Sequence, residues 1–172
     1  KTTATLLLTH VLKKLGFKAE AVGNIGSPLI DYAEAGKEEI LVVELSSFQL
    51  ETVTTPRFEV SAILNISPDH LDRYDSFREY AEAKKRLIGL TEGKKCCENG
   101  EEALYFMAAH FGVSREVFDE AARDFVPPPH RLELVKEIDG ISFYNDSKGT
   151  NIDAVTYAIA NIVQPKVILV GG

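Results

Sequence analysis

Two short apolar runs constrain the fold more than any other feature of this chain. Ile40-Leu41-Val42-Val43 runs unbroken into Glu44 and Leu45, and Val60-Ser61-Ala62-Ile63-Leu64-Asn65-Ile66 is its counterpart. Neither run alternates polar with apolar, so neither suits a sheet with one wet face. Continuous runs of this kind suit strands buried on both faces of a parallel sheet. The segments around them carry helical signals. Residues 3–15 place apolar side chains at helical spacing, and Gly16 suits a C-cap. Residues 17–22 read as a short strand, 23–28 as a turn-rich loop, and a short helix follows. Residues 76–90 read as a helix opened by Ser76, with Glu79 completing a capping box. Residues 101–111 and 114–124 read as a helical pair, the second capped by Ser114. The expected fold class is therefore α/β.

Pro127-Pro128-Pro129 is a stiff connector and marks the expected domain boundary, giving 1–126 and 127–172. Beyond it the pattern changes. Residues 132–138 and 141–145 flank Asp139-Gly140, a strong hairpin turn. A helix over 152–163 and a strand over 166–170 complete an α/β opening. Lys1 stands with no strand before it, and the chain stops at Gly171-Gly172 directly after an apolar run. Both ends read as cuts through a fold, so the chain is expected to be incomplete.

With 45% hydrophobic residues, 172 residues suffice for one good core or two small ones. A net charge of -7 argues against binding nucleic acid through overall charge. It leaves room for local phosphate binding at loops and helix N-termini. No apolar run approaches the ~20 residues of a membrane span. Cys96 and Cys97 are adjacent and make no disulfide framework, so a reducing cytoplasm is the expected compartment.

Several residues carry possible chemistry, each with a plainer alternative. Lys1-Thr2-Thr3 heads a helix and could end a Walker-type phosphate loop. Without the glycines of that loop, three residues alone favour a solvated helix start. Glu44 ends a buried strand, where open α/β sheets bind ligands, and is either a metal ligand or a cap for the next turn. Asp69, His70, Asp72 and Arg73 follow the second run and reach the same sheet edge, so a site and a structural cluster are equally good readings. Lys84 precedes Lys85-Arg86, the usual sign of a solvated basic face. Asn145-Asp146-Ser147-Lys148-Gly149-Thr150-Asn151 fits a turn with Thr150 or Asn151 as N-cap, although Lys148 is less expected there.

Taken together and in order, these segments resemble the Mur ligase family, and within it the branch that adds D-glutamate. The resemblance rests on Gly23-Asn24-Ile25-Gly26, on Glu44-Leu45-Ser46-Ser47-Phe48-Gln49-Leu50-Glu51, on Asp69-His70-Leu71-Asp72-Arg73-Tyr74 with 80–84, and on Pro129-His130-Arg131 with 145–151. It implies a parallel-sheet, P-loop-type ATP-binding central domain over 1–126, followed by the beginning of a Rossmann-like C-terminal, amino-acid-binding domain over 127–172. It implies ligation of D-glutamate to UDP-N-acetylmuramoyl-L-alanine through an acyl phosphate, with ATP and two Mg²⁺ sites. Lys1, Thr2, Thr3, Asn99, Arg131, Asp146 and Lys148 would bind ATP. Thr2, Glu44 and His70 would hold metal, and Lys84 would be carbamylated. Lys1, His70, Lys84 and Lys148 would be catalytic, and Asn24, Ser46, Arg73 and Thr150 would bind substrate. A bacterial cytoplasmic enzyme, monomeric when intact, is implied.

The chain also departs from the family pattern. The phosphate-loop glycines are absent, and the stretch 87–98 stands where members carry a much longer one. Glu102 occupies the second of two adenine-side asparagine positions. The chain as written is therefore expected to be inactive. The competing readings are another Mur-type or folylpolyglutamate-type ligase, against which the Glu44 to Glu51 stretch argues, and a non-catalytic nucleotide-binding fragment.

Overall fold

The structure is a computed structural model. It describes every residue except Ala35, Lys37, Pro56, His70, Leu71, Glu98, Asn99 and Gly172. The chain divides into two compact units, Lys1–Val126 and Pro127–Gly172.

The first unit opens with α1 (Thr2–Lys14), β1 (Lys18–Gly23), a 3₁₀ turn (Leu29–Tyr32), β2 (Glu39–Glu44) and α2 (Ser47–Thr52). It continues with β3 (Phe58–Ala62), α3 (Phe77–Gly89), β4 (Thr91–Cys96), α4 (Gly100–Ala109) and α5 (Arg115–Ala122). Thr5, Leu8, Thr9 and Leu12 fall at helical spacing and form the buried stripe of α1. The helix stops where Gly16 takes φ +88 and donates to the Lys13 carbonyl, while the Phe17 N–H reaches Leu12. Those two bonds satisfy carbonyls that the last turn leaves open. Ser76 accepts from the Glu79 N–H at the head of α3, but the Glu79 carboxylate returns to the Asp75 N–H rather than to Ser76.

β1 and β2 pair in parallel, from Lys18 opposite Glu39 to Gly23 opposite Glu44. β3 and β4 form a second parallel pair, with a register shift between Phe58 and Val60. Strands thus form at both apolar runs, but in two two-stranded sheets and only partly buried; the second covers Phe58–Ala62 rather than 60–66, with Ser61 its one buried residue. Among the described residues no strand hydrogen bond joins β2 to β3. A cavity of about 460 Å³, lined by Val42, Val60, Leu8 and Leu104 among others, lies between them.

Within the short stretch 87–98 the structure forms a strand, β4, that the sequence reading did not anticipate. Thr91-Glu92-Gly93-Lys94-Lys95-Cys96 has no apolar run to announce a strand. Its pairing depends on small residues. A Cβ on Gly93 would stand 2.0 Å from the Glu59 carbonyl oxygen, so only glycine lets the two backbones meet there. The Thr91 hydroxyl lies 2.8 Å from the Ser61 hydroxyl and 2.7 Å from the Leu87 carbonyl.

The main core gathers Leu8, Val11 and Leu12 of α1 with Ala19 and Val42 of the first sheet, and with Leu104, Ala108, Phe118 and Ala121 of α4 and α5. A smaller core joins Tyr74, Tyr80 and Ala83 to Phe48 and Ile66. It couples α2 to α3.

In the second unit, β5 (Glu133–Ile138) and β6 (Ile141–Asn145) form an antiparallel hairpin. Asp139 and Gly140 take φ 51 and 78 at its turn, as a type I′ turn requires. Asn151 rather than Thr150 caps α6 (Ile152–Asn161), accepting from the Ala154 N–H. The expected strand over 166–170 does not form; Val167 and Leu169 are 91% and 95% exposed. A strand needs a neighbour to take its N–H and C=O groups, and among the described residues of this unit none pairs with it. Of the expected α/β opening, the second unit therefore shows the hairpin and the helix but not the strand.

Phe118 is fully buried, with its ring edge-on to Tyr105. Phe118→Ala is expected to cost about 3–5 kcal/mol, read as a lower urea midpoint at unchanged slope. A loss under about 1 kcal/mol would show that this core does not hold α4 and α5 to α1. At the end of α5, Asp124 accepts from Lys14 Nζ at 2.8 Å and lies 2.9 Å from His10 Nε2. The lysine first, then the histidine, holds its carboxyl down from 3.8 to about 2. The stability this contributes is present above the ordinary value and lost as pH falls through about 2. Asp124→Asn should flatten the acid limb of the stability profile over that window, by a small amount because the pair is exposed. An unchanged acid limb would refute the assignment.

Candidate functional site

The carboxyl edge of β1 and β2 carries the first cluster. β1 ends on Gly23 at φ +100, and a Cβ there would lie 2.5 Å from the Glu44 carbonyl oxygen. Glycine therefore lets the 23–26 loop fold back over the end of β2. That fold brings the Asn24 N–H to the Glu44 carbonyl at 2.8 Å and Asn24 Nδ2 to Glu44 Oε1 at 3.1 Å. From α1, Lys1 Nζ reaches the Leu45 carbonyl at 3.2 Å and stands 3.5 Å from Glu44 Oε1. Glu44 is 3% exposed, and its Oε2 is sealed from solvent with no hydrogen-bond partner among the described residues. A buried acceptor left in that state is costly. It is also the kind of oxygen donor that a hard cation such as Mg²⁺ takes, but a single one: no group of three or more His, Cys, Asp or Glu that could hold a metal occurs among the described residues.

Lys1 is the N-cap of α1 and no side chain caps the helix. The first-turn N–H groups, including those of Thr2 and Thr3, are then open to an anion.

Lys84 shares a cavity wall with Lys1, Glu44 and Asn65. Its Nζ sits 4.6 Å from the centre of the Tyr80 ring. Burial first, and the Lys1 charge second, push its pKa down, while Asp69 pulls it up. The run Lys84-Lys85-Arg86 thus divides by face. Lys85 pairs with Glu82 in solvent, and Arg86 donates to the Leu50 and Val53 carbonyls at the end of α2. The reading as a solvated basic face holds for Lys85 and in part for Arg86, which is exposed though bonded to α2, whereas Lys84 is half-buried.

Ser46 and Arg73 are engaged elsewhere. Ser46 caps α2: its hydroxyl accepts from the Gln49 N–H, and the Gln49 side chain accepts from the Ser46 N–H. Arg73 donates to Glu51 at 2.9 Å, lies over the Phe48 ring, and lines a separate hollow with Glu51 and Tyr74. Glu102 is taken by Arg115 at 2.6 Å. His70 and Asn99 lie outside the described residues.

The second unit carries its own cluster. Asp146 Oδ1 accepts from the Leu132 N–H at 3.1 Å, and Arg131 Nη1 donates to the Lys148 carbonyl at 2.9 Å. The Lys148 N–H reaches the His130 carbonyl at 3.2 Å. A Cβ on Gly149 would lie 2.6 Å from Asp146 Oδ2. His130 and Leu132 take φ 65 and 47, strained for residues other than glycine, and these bonds hold them there. The Lys148 and Thr150 side chains are exposed.

Sequence reasoning missed Tyr80 and Asp69 as neighbours of Lys84. The available signal was spacing: Tyr80 is four residues ahead of Lys84 on the same helix face.

Residues 1–111 match the model of the Mur ligase middle domain. The chain is 34% identical to a protein of Protochlamydia amoebophila described as UDP-N-acetylmuramoylalanine--D-glutamate ligase, over the whole chain and 52% of that relative. Like-named proteins of Caldanaerobacter subterraneus subsp. tengcongensis and Nitratidesulfovibrio vulgaris are 36% and 34% identical, again over the whole chain, and over 52% and 49% of their own lengths. The chain spans about half the length of the curated relatives it matches. The first alignment runs over 230 positions against the 172 residues here, so that relative carries stretches with no counterpart in this chain. With a family model covering more than half of its residues and relatives of this identity along its full length, the chain belongs to the Mur ligase family.

Proposed function

We propose that this chain supplies the ATP- and metal-binding part of a ligase that joins D-glutamate to UDP-N-acetylmuramoyl-L-alanine. The observation that carries the reading is Glu44, a buried carboxylate with one oxygen unpartnered among the described residues, beside Lys1 at the head of α1. The names of the relatives support the choice of substrates. On this reading the first unit is the P-loop-type domain and the second begins a Rossmann-like one, in a bacterial cytoplasmic enzyme.

The reaction must bring an anionic carboxylate against a triphosphate. Lys1 and the N–H groups of Thr2 and Thr3 would take the phosphates. Thr2 and Glu44, with His70, would hold Mg²⁺, which supplies the positive charge that lets the two anions approach. Asn24, fixed by Glu44, would orient the nucleotide sugar together with Ser46 and Arg73. Arg131, Asp146 and Lys148 would close on ATP from the second unit, with Asn99 on the adenine side and Thr150 on the substrate side. The acyl phosphate formed on the substrate carboxylate would be attacked by the D-glutamate amine, releasing phosphate and leaving an amide.

Lys84 fits a carbamate. Its neutral amine would add to CO₂ and release a proton, turning a cation into an anion. Burial and Lys1 favour the neutral amine that this addition needs.

In the intact enzyme, Glu44→Gln should lower D-glutamate-dependent phosphate release by about 10²–10³. It should also weaken Mn²⁺ binding followed by electron paramagnetic resonance. Unchanged metal affinity would remove Glu44 from the metal site. Lys84→Ala should be inactive, acetate should restore part of the activity, and Lys84→Arg should remain inactive. Activity retained in Lys84→Arg would mean that the residue works through positive charge, and the carbamate reading would fall.

A further inference from the structure

We propose that Glu51 is a positioning residue for Lys84, acting through Tyr74 and Tyr80; the importance of Lys84 rests on the ligase reading above, but its placement does not. α2 has six residues and cannot hold itself in place by its own backbone bonds. Side chains fix it. Arg86 reaches over from α3 to the carbonyls at its C-terminal end. Glu51 fastens its other flank: Oε2 accepts from Arg73, and Oε1 accepts from the Tyr74 hydroxyl, which also has Ser47 as a neighbour.

The tether holds one end of an aromatic stack. The Tyr74 ring lies parallel to Phe48, with centroids 6.0 Å apart, and tilts onto Tyr80 at 5.3 Å. Tyr74 and Tyr80 are 6% and 3% exposed, so neither ring has room to turn independently of the other. The Tyr80 face is the surface beneath Lys84 Nζ. A carboxylate on the outer side of α2 therefore sets where the Lys84 amine stands, although it touches no residue of the Lys1–Glu44 cluster in any contact described above. A carboxylate that only fastened α2 would stabilise the unit without fixing Lys84.

Ring currents distinguish the two roles. In the intact protein carrying ¹³C-labelled lysine side chains, with the resonance assigned by Lys84→Arg, the Lys84 ε-methylene should be displaced upfield by the Tyr80 ring. Tyr74→Phe keeps the ring and removes the hydroxyl that Glu51 holds. Tyr74→Phe and Glu51→Ala should each lose most of that displacement, and the double variant should lose no more than either alone. Glu82→Gln, exposed on the same helix, should leave it intact. In the acetate-rescued Lys84→Ala enzyme, adding Glu51→Ala should change turnover little, because the residue it positions is gone. A displacement that survives in Tyr74→Phe, or one that the two substitutions erode additively, overturns the proposal. Lack of D-glutamate-dependent turnover in the unsubstituted protein instead overturns the ligase reading and leaves the resonance test standing.

Discussion

A buried carboxylate at the end of a parallel strand organises the first unit. Glu44 cannot remain at 3% exposure without partners. Its needs explain features far apart in sequence: the left-handed Gly23 that turns the loop back, the Asn24 amide on Oε1, and the Lys1 ammonium close by. Parallel pairing of β1 and β2 puts both carboxyl ends on one edge, and α1 brings its N-terminus to the same place. Fold and site are thus a single arrangement here, in which the helix packed on the sheet also presents its unsatisfied N–H groups beside the acid.

The elements easiest to read from sequence were those with a period or a cap. The apolar runs around Val42 and Val60 became strands, Ser76 and Ser114 cap helices, and Asp139-Gly140 turns a hairpin. β4 was illegible because its charged edge sequence owes its pairing to one glycine and two hydroxyls, a tertiary fit that leaves no local pattern. Residues 166–170 failed in the opposite way. Their composition is that of a buried strand, but a strand is a relation between segments, and composition cannot supply the partner.

The site divides along the same line. Glu44, Lys1 and Asn24 were legible from motif positions at the ends of elements, and the structure brings them together. Lys84 was weighed against a basic face, and only the surroundings separate it from Lys85 and Arg86: one residue turns over Tyr80, the next into solvent, the third back to α2. Ser46 shows the limit of position alone, since the same hydroxyl that a motif assigns to a substrate is occupied in holding a helix end.

The cavity between β2 and β3 bears on how the first unit comes apart. α1 lies against β2 and α4 against β3, so side-chain packing spans the gap where, among the described residues, no ladder of backbone bonds does. Dispersion contacts fall off steeply with separation, and such a seam gives way before a hydrogen-bonded sheet would. The core around Phe118 includes α4, which also lies against β3, so the seam is bridged by helices rather than by a shared sheet. The Lys1–Glu44 cluster and Lys84 line the same cavity, so the spacing between them depends on that side-chain packing rather than on a shared ladder.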